Sequence, residues 1–205
     1  MKSLFAAIVL SLLVCSVCRA QHIQVGVRAG ASLTDYSIGN KVFDSGIIGG
    51  GRVRAGFETA LLARFSFARR MFLQAEFEYN RDGYEFLYTH GDRPDRNIII
   101  DANRIEIPLM LGVKAGPVHF FAGASFRISH SEKSSAPGIL KVGFNNSDVA
   151  LAGGAGVSIR RFFIDARVMG YPRATMYNDM TVAGQTRRVT VARQLRWSLS
   201  AGVLF

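Results

Sequence analysis

Cysteine is nearly missing from this 205-residue chain: Cys15 and Cys18 are the only two. No thiol follows residue 18, which excludes a disulfide framework, a Cys₄ zinc site and a cysteine nucleophile from the rest of the chain. The four His residues are scattered at 22, 90, 119 and 130, without the spacing of a metal site. Proline is scarce, at 5 residues, and lysine is almost excluded from the predicted strands, where Lys114 stands alone. The one long apolar run, Leu4 to Val17, has 14 residues. A membrane-spanning helix needs roughly 20. What remains is rich in Gly (21) and Phe (15), with 49% hydrophobic and 20% charged residues, which excludes wholesale disorder.

Lys2 precedes the apolar run, and Cys18-Arg19-Ala20 places small residues at −3 and −1 of a cut before Gln21. Residues 1–20 therefore read as a secretory signal peptide, leaving 21–205 as one domain. A retained helical anchor is the alternative. Val14 and Val17 are too bulky for a lipobox ahead of Cys15 or Cys18. Loss of Lys2 and Arg19 lowers the net charge from +10 to +8.

From residue 21 onward the pattern has period two. Leu195, Trp197, Leu199, Ala201, Val203 and Phe205 share one face, against Gln194, Arg196, Ser198, Ser200 and Gly202. Ile105, Ile107, Leu109, Leu111 and Val113 oppose Arg104, Glu106, Pro108, Met110, Gly112 and Lys114. The same alternation marks strands near 23–30, 53–65, 71–80, 118–128, 149–159 and 162–168, giving eight in all. Links at Ala68-Arg69-Arg70, Gly116-Pro117 and Arg160-Arg161 are tight; those at 32–51, 83–102, 130–147 and 172–189 are long. Strict alternation of short and long links predicts an all-β, eight-stranded antiparallel up-and-down barrel, with its long loops at one end.

Two barrels fit the alternation. A soluble lipocalin-like barrel turns its apolar face inward, whereas a transmembrane barrel turns it toward lipid. Strands of about 10–13 residues, a polar face mixing Arg and Glu with small residues, a terminal strand carrying Trp197 and ending at Phe205, and an export signal all favour the second. Arg28, Arg54, Arg64, Arg104, Lys114, Arg127, Arg167 and Arg196 then meet Glu58, Glu76, Glu78, Glu106 and Asp165 in the lumen, as a structural charge network. Burial demands such partners.

Several of these stretches resemble a known family: Gly56-Phe57 through Phe65, Leu73 through Tyr79, Ile105-Glu106-Ile107-Pro108-Leu109, Gly153-Gly154-Ala155-Gly156-Val157, Ile164-Asp165-Ala166-Arg167 and the strand ending at Phe205. They resemble the small outer-membrane β-barrels of Bacteroidetes-type bacteria, grouped as PorT-like. The Arg-Tyr pair associated with the family's seventh strand is absent, since Val168 follows Arg167. The resemblance implies a Gram-negative outer-membrane location among lipid and lipopolysaccharide. It also implies that Phe205 is a C-terminal assembly signal read by the barrel-insertion machinery.

Basic and acidic residues cancel in the long loops, and the surplus sits in the strands and in Arg69, Arg70, Arg160 and Arg161. That distribution argues against a nucleic-acid partner. Ser129-His130-Ser131-Glu132 holds hydrolase residue types, but neighbours on a strand point to opposite faces. His119 faces inward with no matched Ser or acid in the sequence. The glycines at 49–51 and 153–156 lack the Lys-Ser/Thr of a phosphate loop. No catalytic residue, cofactor or metal is expected. The expected role is non-enzymatic, either structural or surface interaction through the long loops and an envelope protein partner. The alternatives are a PorT-like subunit of an envelope protein-secretion machine, as the resemblance implies, or a small conductance pore.

Overall fold

The computed structural model describes residues 22–37, 41–43, 46–89, 96–135, 140–145, 149–171, 177–182, 185–190 and 193–205. The expected signal peptide, 1–20, lies outside them. The strands are β1 (His22–Ser37), β2 (Lys41–Phe43), β3 (Gly46–Val53), β4 (Ala55–Phe67), β5 (Met71–Thr89), β6 (Arg96–Ala115) and β7 (Val118–Ser134). They continue with β8 (Leu140–Asn145), β9 (Val149–Ile159), β10 (Phe162–Gly170), β11 (Tyr177–Val182), β12 (Gln185–Thr190) and β13 (Arg193–Leu204). Eight of them close an antiparallel ring in the order β1-β4-β5-β6-β7-β9-β10-β13 and back to β1. Closure leaves the wall without an edge, as lipid requires.

The tight links sit at one end, with both ends of the described chain. Ala68 and Arg69 (φ 49° and 57°) and Arg160 (φ 57°) enter the left-handed region without being glycine. Gly116 (φ 64°) does so at no steric cost, ahead of Pro117. In barrels of this kind the short-turn end is periplasmic.

At the other end the structure corrects the sequence reading. Segments 32–51, 83–102, 130–147 and 172–189 are not simply loops. The β5–β6 ladder runs on to Tyr88↔Arg96, and β3 pairs with β5 up to Thr89. β8, β11 and β12 form a separate three-stranded sheet. The extensions escaped notice because their alternation dissolves: Ile98, Ile99 and Ile100 are consecutive, with only Ile98 and Ile100 fully buried.

Side chains sort by parity. Outward stand Ile23, Val25, Val27 and Leu33 on β1, Leu109, Leu111 and Val113 on β6, and Trp197 and Leu199 on β13. Inward and buried stand Arg28, Ser32, Thr34, Glu58, Arg64, Glu76, Glu78, Arg104, Glu106, Asp165, Arg167 and Arg196. A water-soluble barrel would show the reverse. The outward face turns polar at Asp35, Arg81 and Asn103. On β1 the apolar band spans Ile23 to Leu33, ten steps of about 3.3 Å; at a tilt of about 40° that is roughly 25 Å, the height of a membrane-barrel belt.

Three irregularities break the parity, one of them in β3, where Gly49 faces Leu87 and Gly51 faces Phe86. Between β6 and β7, Ile105 faces Ser129 but Glu106 faces Arg127, so Ile128 is an extra residue. Between β3 and β4, Val53 faces Tyr84 while Phe57 faces Arg81: four steps oppose three. Arg54 lies in that step, outside any strand.

Candidate functional site

Among the described residues the lumen holds six arginines and seven carboxylates in stacked layers, Glu132 lying at the upper end. In the central layer Arg28 donates from Nε and Nη2 to Glu76 Oε2 (3.0 and 2.8 Å), and also to Glu58 and Glu78. Arg167 donates from Nη2 to Glu76 Oε1 (2.7 Å) and pairs with Glu78 at 3.3 Å. Arg196 Nη2 donates to Glu78 Oε1 and Glu106 Oε2, both at 2.8 Å. The side chains arrive from β1, β4, β5, β6, β10 and β13, so the layer ties residues across most of the ring. None of these groups is more than marginally accessible.

Above it, Tyr171 Oη donates to Glu106 Oε1 (2.7 Å), and Arg127 lies over the Tyr171 ring with Nε 3.9 Å from Glu106. Arg104 Nη1 donates to Asp82 Oδ2 at 2.9 Å, and Thr34 Oγ1 donates to the same oxygen. Below it, Arg64 Nε donates to Gln74 Oε1 (2.6 Å), and the guanidinium covers Phe72 at 4.5 Å and Phe163 at 5.3 Å. Guanidinium faces pack on aromatic rings in this way because the ring quadrupole attracts a desolvated cation.

Three placements differ from the sequence reading. Asp165 meets His119 rather than an arginine: Nε2 lies 2.7 Å from Oδ1. His119 is not isolated: its Nδ1 lies 3.2 Å from Ser158 Oγ while the ring stacks on Phe121. Strand register brings these residues together, and linear spacing does not reveal it. Arg54 points outward to Asp101 (3.7 Å), since the extra residue reverses its parity. Lys114 is also apart from the network, near the short turns, where Nζ donates to Ser66 Oγ at 3.3 Å. Gln74 and Asn80 share the polar parity of Glu76 and Glu78 and are buried in the lumen; Asp82, beyond the strand expected at 71–80, extends the same series. His130 Nε2 lies 2.8 Å from Glu132 Oε1. Tyr36, Phe43, Phe86 and Phe144 are aromatic residues of the long links, through which contact with a partner is expected; their side chains lie outside the described residues.

The central layer fills the middle of the lumen with buried ion pairs. An eight-stranded barrel has an interior just wide enough for side chains, and here ion pairs fill it. Ser158, His119 and Asp165 include the residue types of a nucleophilic hydrolase. His119 and Asp165, however, are fully buried, and a Cβ on Gly156 would stand 2.1 Å from Asp165 Oδ1.

The profile described as Outer membrane protein beta-barrel domain matches residues 19–169. No curated protein matches the chain. Among solved structures, the outer membrane protein OprG from Pseudomonas aeruginosa shares 11% identity over 89% of this chain and 95% of its own, with a TM-score of 0.52. Ail, the attachment invasion locus protein of Yersinia pestis, shares 15% identity over 90% of this chain and 99% of its own, with a TM-score of 0.47. Neisserial surface protein A shares 15% identity over 91% and 100%, with a TM-score of 0.43. The OprG likeness supports the fold alone. The outward apolar belt, the ionic lumen and the profile match agree: the chain belongs to the family described as Outer membrane protein beta-barrel domain, whose place is the bacterial outer membrane.

Proposed function

We propose that the protein is a non-enzymatic scaffold of the outer membrane that presents its extended hairpins to an envelope protein partner and does not conduct solutes. One observation carries this reading: Arg28, Glu76, Glu78, Arg167 and Arg196 interlock, fully buried, across the middle of the lumen. Opening a path means separating buried ion pairs, each costing several kcal/mol to break. The strands continuing beyond the belt, β5 and β6 above all, supply the presenting surface.

In this reading residues 1–20 direct export and are removed. Phe205, whose N–H donates to Val25 O at 2.7 Å, is the terminal signal for the insertion machinery. Deletion of Phe205 is expected to lower membrane levels of folded barrel in cells; wild-type levels would count against that role.

The test combines planar-bilayer recording with crosslinking in intact cells. Silence in the bilayer and crosslinks from the hairpins to one envelope protein are expected. Steady conductance steps would overturn the plug. Labelling of Ser158 by a fluorophosphonate probe would overturn the non-enzymatic reading.

A further inference from the structure

Arg54 is the one lumen arginine of the sequence reading that the fold turns out of the barrel. Its side chain crosses the outer surface of β5 over Gly83, where a Cβ would stand 3.7 Å from Nη1 and 3.3 Å from Asp101 Oδ1. Arg81, one rung below on the same outer face, points to the same carboxylate, with Nη2 3.8 Å from Asp101 Oδ2. Both distances exceed hydrogen-bonding range. The two arginine side chains are 42% and 54% exposed and border an open cleft of about 410 Å³. Asp82 also lines the cleft, but its Oδ2 is bound to Arg104 and Thr34 inside the lumen. The cleft is thus lined by two arginines and two carboxylates, of which Asp101 is half-exposed and Asp82 is buried, with its Oδ1 unpartnered among the described residues.

Its height is informative. Phe57 is the cross-strand partner of Arg81 and packs against Tyr79, with centroids 5.9 Å apart. Below that pair the outer face of β5 is apolar; Arg81, Gly83 and Glu85 then make it polar, with Leu87 exposed beyond them. The cleft therefore lies at the boundary between acyl chains and headgroups, at the end away from the short turns. In a Gram-negative outer leaflet the groups at that boundary are lipid A phosphates.

We propose that Arg54 and Arg81 bind a phosphate of outer-leaflet lipopolysaccharide, with the acyl chains of the same lipid lying on the belt beneath Phe57 and Tyr79. Arginine forks match phosphate oxygens bidentately. Asp101 holds the guanidiniums in place at long range and competes with the ligand. The inference rests on the membrane placement and is independent of the hairpin partner and of the plug.

The refolded barrel in detergent is titrated with diphosphoryl lipid A and with the same lipid stripped of both phosphates, and binding is counted by native mass spectrometry. Wild type is expected to prefer the phosphorylated lipid by about tenfold or more, the scale of one or two charge-assisted contacts. Arg54→Gln/Arg81→Gln is expected to erase the preference, and Asp101→Asn to increase it. Equal binding of the two lipids by wild type would overturn the site. So would a double variant that keeps the preference, or an Asp101→Asn variant that loses it. Should a variant not fold, the comparison of the two lipids on wild type still decides.

Discussion

Arg28→Met is the sharpest perturbation of the lumen. Arg28 touches three carboxylates, and its side chain has no accessible surface. Their fates differ when it is removed. Glu76 keeps Arg167, and Glu78 keeps Arg167 and Arg196. Among the described residues, Glu58 makes no second ion pair, and Arg196 acts on it only at longer range. The variant therefore strands one buried carboxylate, and breaking a buried pair from one side costs about 3–5 kcal/mol. Arg28→Met/Glu58→Met removes both charges, so it is expected to cost less than the two single changes together, with a coupling of about 1.5–3 kcal/mol. Reversible urea unfolding in phosphatidylcholine vesicles, followed by Trp197 fluorescence, measures all four corners of the cycle. A single variant within about 1 kcal/mol of wild type, or strictly additive costs, would refute the view that these pairs hold the barrel as a unit.

Two further perturbations probe other layers. Leu109→Arg puts a charge on the outer face of β6, where Leu109 is 42% exposed, and should cost about 2–4 kcal/mol near the bilayer midplane; equal folding yields in liposomes would contradict the outward assignment. Gly156→Ala forces a methyl to within 2.1 Å of Asp165 Oδ1 and 2.7 Å of His119 Nε2. A loss of about 1–3 kcal/mol is expected, the usual range for overpacking. The His119 imidazole N–H should shift by NMR; an unchanged resonance would argue that the contact does not form.

Much of the wall was legible because period two survives wherever one face meets lipid and the other meets ions. Arg28, Glu58, Glu76, Glu78, Arg167 and Arg196 fall on the inward parity by counting alone. Legibility failed where counting fails. One inserted residue at Arg54 reverses the parity without changing the composition, so nothing in the sequence announces the bulge. Above the belt the hairpins no longer separate lipid from lumen. In Gly83-Tyr84-Glu85-Phe86-Leu87-Tyr88 the aromatic residues fall on the even positions that carry Glu76 and Glu78 lower down, so the apolar parity inverts although the strand is continuous. The His119–Asp165 contact depends on the registers of β7, β9 and β10: His119 faces Gly156, and Gly156 faces Asp165. Only a glycine between them lets the two side chains touch.

The central claim is that the apolar face meets acyl chains, and the chain carries its own reporter. Trp197 is the single tryptophan and stands on the outer face of β13, 54% exposed. Its fluorescence can be measured in vesicles of acyl-brominated phosphatidylcholine and, separately, with aqueous iodide. Strong quenching by the brominated chains, with little effect of iodide, is the expected result. Efficient quenching by iodide with none from the brominated lipid would place that face in water and contradict the account.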